Sequence, residues 1–203
     1  MFRSFCITRS FSYMHKFISA SVKRMREGDG GHIFYKFNDS EAYLNNAVTF
    51  ILEGVNAGDD VAVIESERIM PALQSKLNEV LTEKQQKKIH YMNNFQFYLF
   101  NGNFHIHKVQ NYFSRLIEPY EGEIPGIRTW AHVEWGEDSE LQDEVAKFEE
   151  IADEMVSENK LISVCAYSAD RICEKIEDRL QRCHPFLMTD NNLVPCERYK
   201  KLS

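Results

Sequence analysis

Near the C-terminal end of the chain, the run Leu161-Ile-Ser-Val-Cys-Ala-Tyr167 is apolar but for one serine. Seven residues suit a strand better than a helix, and a strand without polar alternation is buried on both faces. Such a strand needs helices above and below it, so a chain built around it is an α/β protein with a mostly parallel sheet. Further strands are read at His32-Ile-Phe-Tyr-Lys-Phe37 and Val61-Ala-Val-Ile64. Between them Leu44, Ala47, Val48, Ile51, Leu52 and Val55 recur at helical spacing. Asn38 with Glu41 has the form of a capping box for that helix, and Gly58 stops it.

The alternation continues. A helix is predicted from about residue 67 to 81, with Pro71 in its early turns, and Ile89-His-Tyr-Met92 reads as a third strand. Phe95 to Phe100 reads as an aromatic loop or a short extra strand, and Asn103 as the cap of a helix ending near Pro119. After Gly126, Ile127 to Trp135 is the longest strand candidate. Ser139 with Gln142 repeats the capping-box form before a stripe of Leu141, Val145, Phe148, Ala152 and Met155. The opposite face holds Glu140, Asp143, Glu144, Glu150, Asp153 and Glu154, read as a solvated face or, alternatively, a partner surface. Ile172, Ile176 and Leu180 mark a last helix. His184 to Met188 and Leu193 to Tyr199 then flank Asn191-Asn192 as a closing hairpin at a sheet edge. The expected architecture is a three-layer α/β/α fold.

A chain of 203 residues with 43% hydrophobic content builds one sizeable core. Residues 1–30 are read as a basic N-terminal extension and 31–203 as the folded domain. Residues 1–27 hold six basic side chains against Glu27 alone, leaving 18 basic and 30 acidic residues beyond them, about −12. The extension has three readings: a segment with no role of its own, a docking or membrane-surface helix, or a targeting segment. A body this acidic is unsuited to direct binding of nucleic acid. Nothing in the sequence approaches the ~18 to 20 apolar residues of a membrane span. Five cysteines without a CxxC pair fit a reducing compartment, so a cytoplasmic location is expected.

An open parallel sheet binds ligands at the carboxyl ends of its strands, which makes a phosphate loop the first motif to test. After the first strand the chain reads Lys36-Phe-Asn-Asp-Ser-Glu-Ala-Tyr43, with no glycine and no Gly-Lys-Ser/Thr. Asp39 and Glu41 would repel phosphate at that helix start. Zinc ligation by His105-Ile-His107 fails on a helix, where i, i+2 side chains diverge. Arg128, Trp130, His132 and Glu134 would share one face of a strand, which places that face on a polar cavity or at an exposed edge. An imidazole beside a carboxylate there could hold a small polar ligand against Trp130, or be a structural pair. No G-x-S-x-G elbow is present, and Ser163 and Ser168 have no identifiable base. No catalytic residue, cofactor or metal is assigned.

Taken together, His32-Ile, Phe50-Ile-Leu-Glu-Gly54 with Ala57-Gly58, Val61 to Glu65, Arg128 through Trp135, Val164-Cys-Ala-Tyr167 and His184-Pro185 make the sequence similar to the MEDS family, the sensory domain of methanogens, methylotrophs and the dichloromethane-response regulator. The resemblance runs from about residue 31 to 200. It implies a RecA- or KaiC-like fold whose phosphate loop has decayed, used in prokaryotic signalling and transcription regulation to sense simple hydrocarbon derivatives. It also implies a ligand pocket around His32, Glu65, Glu134, Trp135, Tyr167 and His184. Many relatives carry a fused DNA-binding or kinase module. None is evident here, so the expected output is to a separate signalling protein, a kinase or transcription regulator. The alternatives are an interaction adaptor with no small ligand, and a residual nucleotide-binding protein of the RecA type.

Overall fold

The computed structural model describes residues 16–100, 103–120, 126–135 and 141–200. Its centre is a seven-stranded sheet formed by β1 (Gly31–Phe37), β2 (Asp60–Glu65), β3 (Ile89–Asn93), β6 (Ile127–His132), β7 (Ile162–Ser168), β8 (Phe186–Thr189) and β9 (Asn192–Pro195). The strand order is β3-β2-β6-β7-β1-β8-β9, and every neighbouring pair is parallel except β8 with β9. The apolar run at Leu161 to Tyr167 thus becomes β7 at the middle of the sheet, and the edge hairpin forms as expected. A separate two-stranded ribbon pairs β4 (Leu99–Phe100) with β5 (Asn103–Phe104). The aromatic stretch before it is a short helix, α5 (Asn94–Tyr98).

Helices cover both faces, giving three layers. Residues 16–27, within the basic segment, are helical (α1) and bury Ile18, Val22 and Met25. On that face α1 joins α2 (Ser40–Asn56) and α3 (Met70–Val80) in one core with Ile33, Tyr35, Val61, Val63, Trp130 and Val164. The other core gathers Phe34, Ile64, Ala131, Cys165 and Tyr167 under α6 (Ile106–Ile117), α7 (Gln142–Glu158) and α8 (Glu174–Cys183). Alternate residues of each strand supply opposite cores, as the pleat requires. A one-turn helix, α4 (Glu83–Gln86), lies in the polar stretch before β3 and carries a capping box from Thr82 and Gln85.

Several element boundaries differ from those expected from the sequence. The cap of α2 is Asp39, one residue after Asn38, whose carboxylate accepts the N–H of Ala42 at 2.7 Å. Gly58, at φ 91°, ends that helix as anticipated. Pro71 falls in the first turn of α3, where its missing N–H costs nothing, so the helix starts at Met70 instead of near residue 67. The cap of α6 is His105, not Asn103, because Asn103 is drawn into the β4–β5 ribbon. Ser139 and Glu140 lie outside the described residues, as does Cys6. Finally, β6 ends at His132, short of Trp135, so it is not the longest strand.

The largest correction concerns that strand. With β2 on one side and β7 on the other, β6 is not an exposed edge. Arg128 and Thr129 are buried and His132 partly so, and each meets a partner. Arg128 donates from Nε to Asp59 Oδ2 at 2.9 Å and again from Nη2, and Arg26 reaches the same carboxylate at 2.7 Å. Gly54 on α2 leaves the space: a Cβ there would lie 2.7 Å from Arg128 Cδ. Thr129 and the register-matched Ser163 of β7 share a hydroxyl–hydroxyl bond of 2.6 Å in mid-sheet.

Candidate functional site

Because β1, β2, β6 and β7 are parallel, their last residues share one edge of the sheet. Glu65 closes β2 and His132 closes β6, both directed to the α2 side. His132 Nδ1 is 2.8 Å from Glu65 Oε1, which also accepts the N–H of Ser66 at 2.6 Å. The other carboxylate oxygen accepts from Tyr43, whose hydroxyl accepts from Trp130 Nε1 at 2.9 Å. The result is an unbroken chain from Trp130 through Tyr43 and Glu65 to His132. Burial and the Glu65 charge push the Tyr43 hydroxyl well above its ordinary range, so it remains a neutral donor.

The imidazole of His132 was expected beside Glu134 and instead pairs with Glu65. The strand stops at His132, so the two-residue alternation that would have aligned Glu134 no longer holds. Glu134 accepts the Trp135 N–H at 3.0 Å and pairs with Arg171 at 3.1 Å. The Arg171 guanidinium lies over the buried Trp135 ring at 4.8 Å, and that ring is 6.1 Å from Tyr167.

At the turn leaving β1, Asp190 of the β8–β9 hairpin accepts the backbone N–H groups of Asn38 and Asp39 at 3.0 and 3.1 Å. These are the donors a phosphate loop would present to a nucleotide. A carboxylate of the chain itself engages them. The same Asp190 accepts from Tyr35 at 2.9 Å, which ties the hairpin to β1.

On the opposite face, three of the expected site residues meet. The His32 and His184 rings stack with centroids 3.8 Å apart, and Tyr167 donates to Glu149 between α7 and the sheet. Glu149 Oε2 lies 3.3 Å from His32 Nε2 and 3.6 Å from His184 Nε2, and His32 Nε2 lies 3.3 Å from Cys165 Sγ. All of these side chains are fully or almost fully buried. Burial lowers the basicity of both rings. In His32 the neighbouring Cys165, Asp153 and Glu149 outweigh it and carry the ring well above the ordinary value. In His184 burial and the nearby His32 charge push it down to about 3. Burial also lifts the Cys165 thiol to about 12. Among the described residues, His32, Glu149, Cys165 and His184 form the group suited to holding a metal ion, with ligand atoms within 4.8 Å of one another. His105 and His107 do not belong to it.

Of the six expected pocket residues, His32, Tyr167 and His184 therefore come together, and Trp135 connects them to Glu134 at the strand edge. Glu65 stands apart, on the other face. Glu149, Asp153 and Cys165 were missed as site residues. Asp153 in particular was assigned to a solvated acidic face, yet it is buried with Oδ1 3.4 Å from His32 Nδ1. A signal existed: Glu149 is four residues after Val145 and seven before Val156, inside the buried stripe of α7. Two other acids of α7, Asp143 and Glu150, pair with Arg179 of α8.

Residues 31–185 match the family model for the MEDS domain, the methanogen/methylotroph, DcmR sensory domain. The chain belongs to the MEDS family. MEDS is a sensory-domain family, so a sensory role follows for this member too. No curated protein sequence matches the chain significantly. Among the described residues of this MEDS chain, no helix is long and apolar enough to cross a membrane.

Proposed function

We propose that this MEDS domain is a non-catalytic sensor that binds a small organic molecule, a hydrocarbon derivative, at the carboxyl edge of its sheet and relays occupancy to a separate signalling protein. The observation that carries this reading is the Asp190 carboxylate on the N–H groups of Asn38 and Asp39. Its charge opposes a triphosphate where related folds would grip one, while the same edge offers Glu65, His132, Glu134 and Arg171 to a smaller polar ligand. Trp135 supplies an apolar wall and packs on Tyr167, so a ligand held by Glu134 and Arg171 is coupled to the buried His32, Tyr167 and His184 through a ring and one carboxylate. A signal is passed only if bound and free states differ in affinity for the partner.

A thermal-shift screen with small alcohols, amines, acids and halocarbons, run beside ATP with magnesium, tests the reading. A true ligand at a hundredfold excess over its Kd stabilises by about 2.7 kcal/mol, and Glu134→Ala abolishes that shift while leaving the ligand-free midpoint nearly unchanged. Stabilisation by ATP and magnesium, or an undiminished response in Glu134→Ala, overturns the assignment.

A further inference from the structure

The cluster beneath α7 contains two fully buried polar atoms without a hydrogen-bond partner, Glu149 Oε2 and His184 Nε2. They face each other at 3.6 Å. The ring orientation explains why this is unusual. His184 Nδ1 lies 2.7 Å from the Leu180 carbonyl, so that nitrogen donates and Nε2 is left with a bare lone pair directed at a carboxylate oxygen. His32 Nδ1 lies between the Cys183 carbonyl at 3.3 Å and the Asp153 carboxylate at 3.4 Å, which turns its Nε2 inward as well. Tyr167 holds the outer oxygen of Glu149. Two imidazole nitrogens, a carboxylate oxygen and a thiol therefore converge, the imidazoles and the carboxylate each held from behind by a second group, as ligands of a metal are.

We infer that His32, Glu149, Cys165 and His184 form a closed, four-ligand site for a zinc-class divalent transition metal. The donor set fits that ion: imidazole and thiolate are its preferred ligands. The dimensions are close. Bond lengths of about 2.0 to 2.3 Å at a tetrahedral centre separate ligand atoms by about 3.3 to 3.8 Å; three of the six separations are 3.3, 3.3 and 3.6 Å and all six are within 4.8 Å, so the ion would draw the wider pairs inward. Charge closes as well: a dication with one thiolate, one carboxylate and two neutral imidazoles sums to zero, which a fully buried site requires. Binding releases the Cys165 thiol proton, together with any proton on His32, to solvent. The four ligands come from β1, α7, β7 and the end of α8, so the ion pins both helices to the sheet.

The rival account is a metal-free histidinium–carboxylate pair of His32 with Glu149. Metal analysis of the full chain separates the two. The inference expects zinc at about one ion per chain after purification, and cobalt(II) uptake by chelator-treated protein that yields tetrahedral visible bands with a thiolate-to-cobalt charge-transfer band. It further expects loss of that band in Cys165→Ser, weakened retention in His184→Gln, and no change in Cys196→Ser. Zinc should raise the melting midpoint of the wild type by several degrees and that of the two site variants far less. Metal-free wild-type protein that takes up no cobalt overturns the inference without recourse to any variant. Uptake lacking the thiolate band, or equal in Cys165→Ser and Cys196→Ser, overturns it as well.

Discussion

Asp190 Oδ2 accepts the backbone N–H of Asn38 at 3.0 Å, joining the turn of the edge hairpin to the turn that leaves the first strand. Since β8 pairs with β1 directly, the contact ties the hairpin's turn to the end of the strand beside it. One carboxylate satisfies Asn38, Asp39 and the Tyr35 hydroxyl. Replacing Asp190 by Ala should cost about 2 kcal/mol in unfolding free energy through these lost bonds. Urea denaturation with unchanged cooperativity checks this, and a cost near zero would show that water replaces the carboxylate.

Tyr43 is the relay between Trp130 and Glu65. Tyr43→Phe keeps the ring but leaves an indole N–H and a carboxylate oxygen buried without their partner. A loss of about 3 kcal/mol is expected, more than for a single deleted bond, because both orphaned groups stay out of water. Equilibrium unfolding of Tyr43→Phe beside Trp130→Phe measures it.

Gly54 is a helix position where alanine would ordinarily gain about 1 kcal/mol. Here the sign reverses. The added methyl would meet Arg128 Cδ at 2.7 Å, Nε at 2.8 Å and a Val61 methyl at 2.9 Å. Arg128 cannot swing aside, because its guanidinium is both bonded to Asp59 and packed over the Phe50 ring. Gly54→Ala should destabilise by about 1 to 3 kcal/mol; a rise in melting temperature would contradict the packing described.

Asp60 supplies a pH dependence. Burial alone would raise its carboxyl, but bonds from His90, Tyr120 and Lys88, with the Lys88 charge, outweigh it and hold the group below the ordinary value of 3.8. A depressed folded-state value means the contribution is complete above pH 3.8 and fades as pH falls through that lower value. Asp60→Asn should therefore be less stable than wild type at pH 7, by no more than about 1 kcal/mol for so accessible a group. The gap should close in strong acid. A constant difference across that range would remove Asp60 from the account.

Periodicity in the chain was enough to establish the layers: the near-continuous apolar run of β7, the helical spacing from Leu44 to Val55 and the edge hairpin all appear where their patterns place them. Local signals failed where two explanations compete over one or two residues. Asn38 and Asp39 are both good caps, and only the path of β1 into its turn selects Asp39. His132 was expected to pair with Glu134 along its own strand, but the partner that reaches it, Glu65, lies 67 residues away in sequence.

By itself the amino-acid order determined the main strands and the helices that alternate with them, and that the first turn has neither the glycines nor the positive charge to hold a phosphate. The resemblance to the MEDS family further pointed to His32, Glu65, Glu134, Trp135, Tyr167 and His184. Only the tertiary structure decided that Glu149 and Cys165 converge on those histidines, that Asp190 closes the first turn, and that Arg128 and His132 of β6 pair with Asp59 and Glu65. Propensity and periodicity are properties of neighbours along the chain and are written in short windows. The pairing of buried charges depends on which distant side chains the packed layers bring within about 3 Å, and no short window contains that distance.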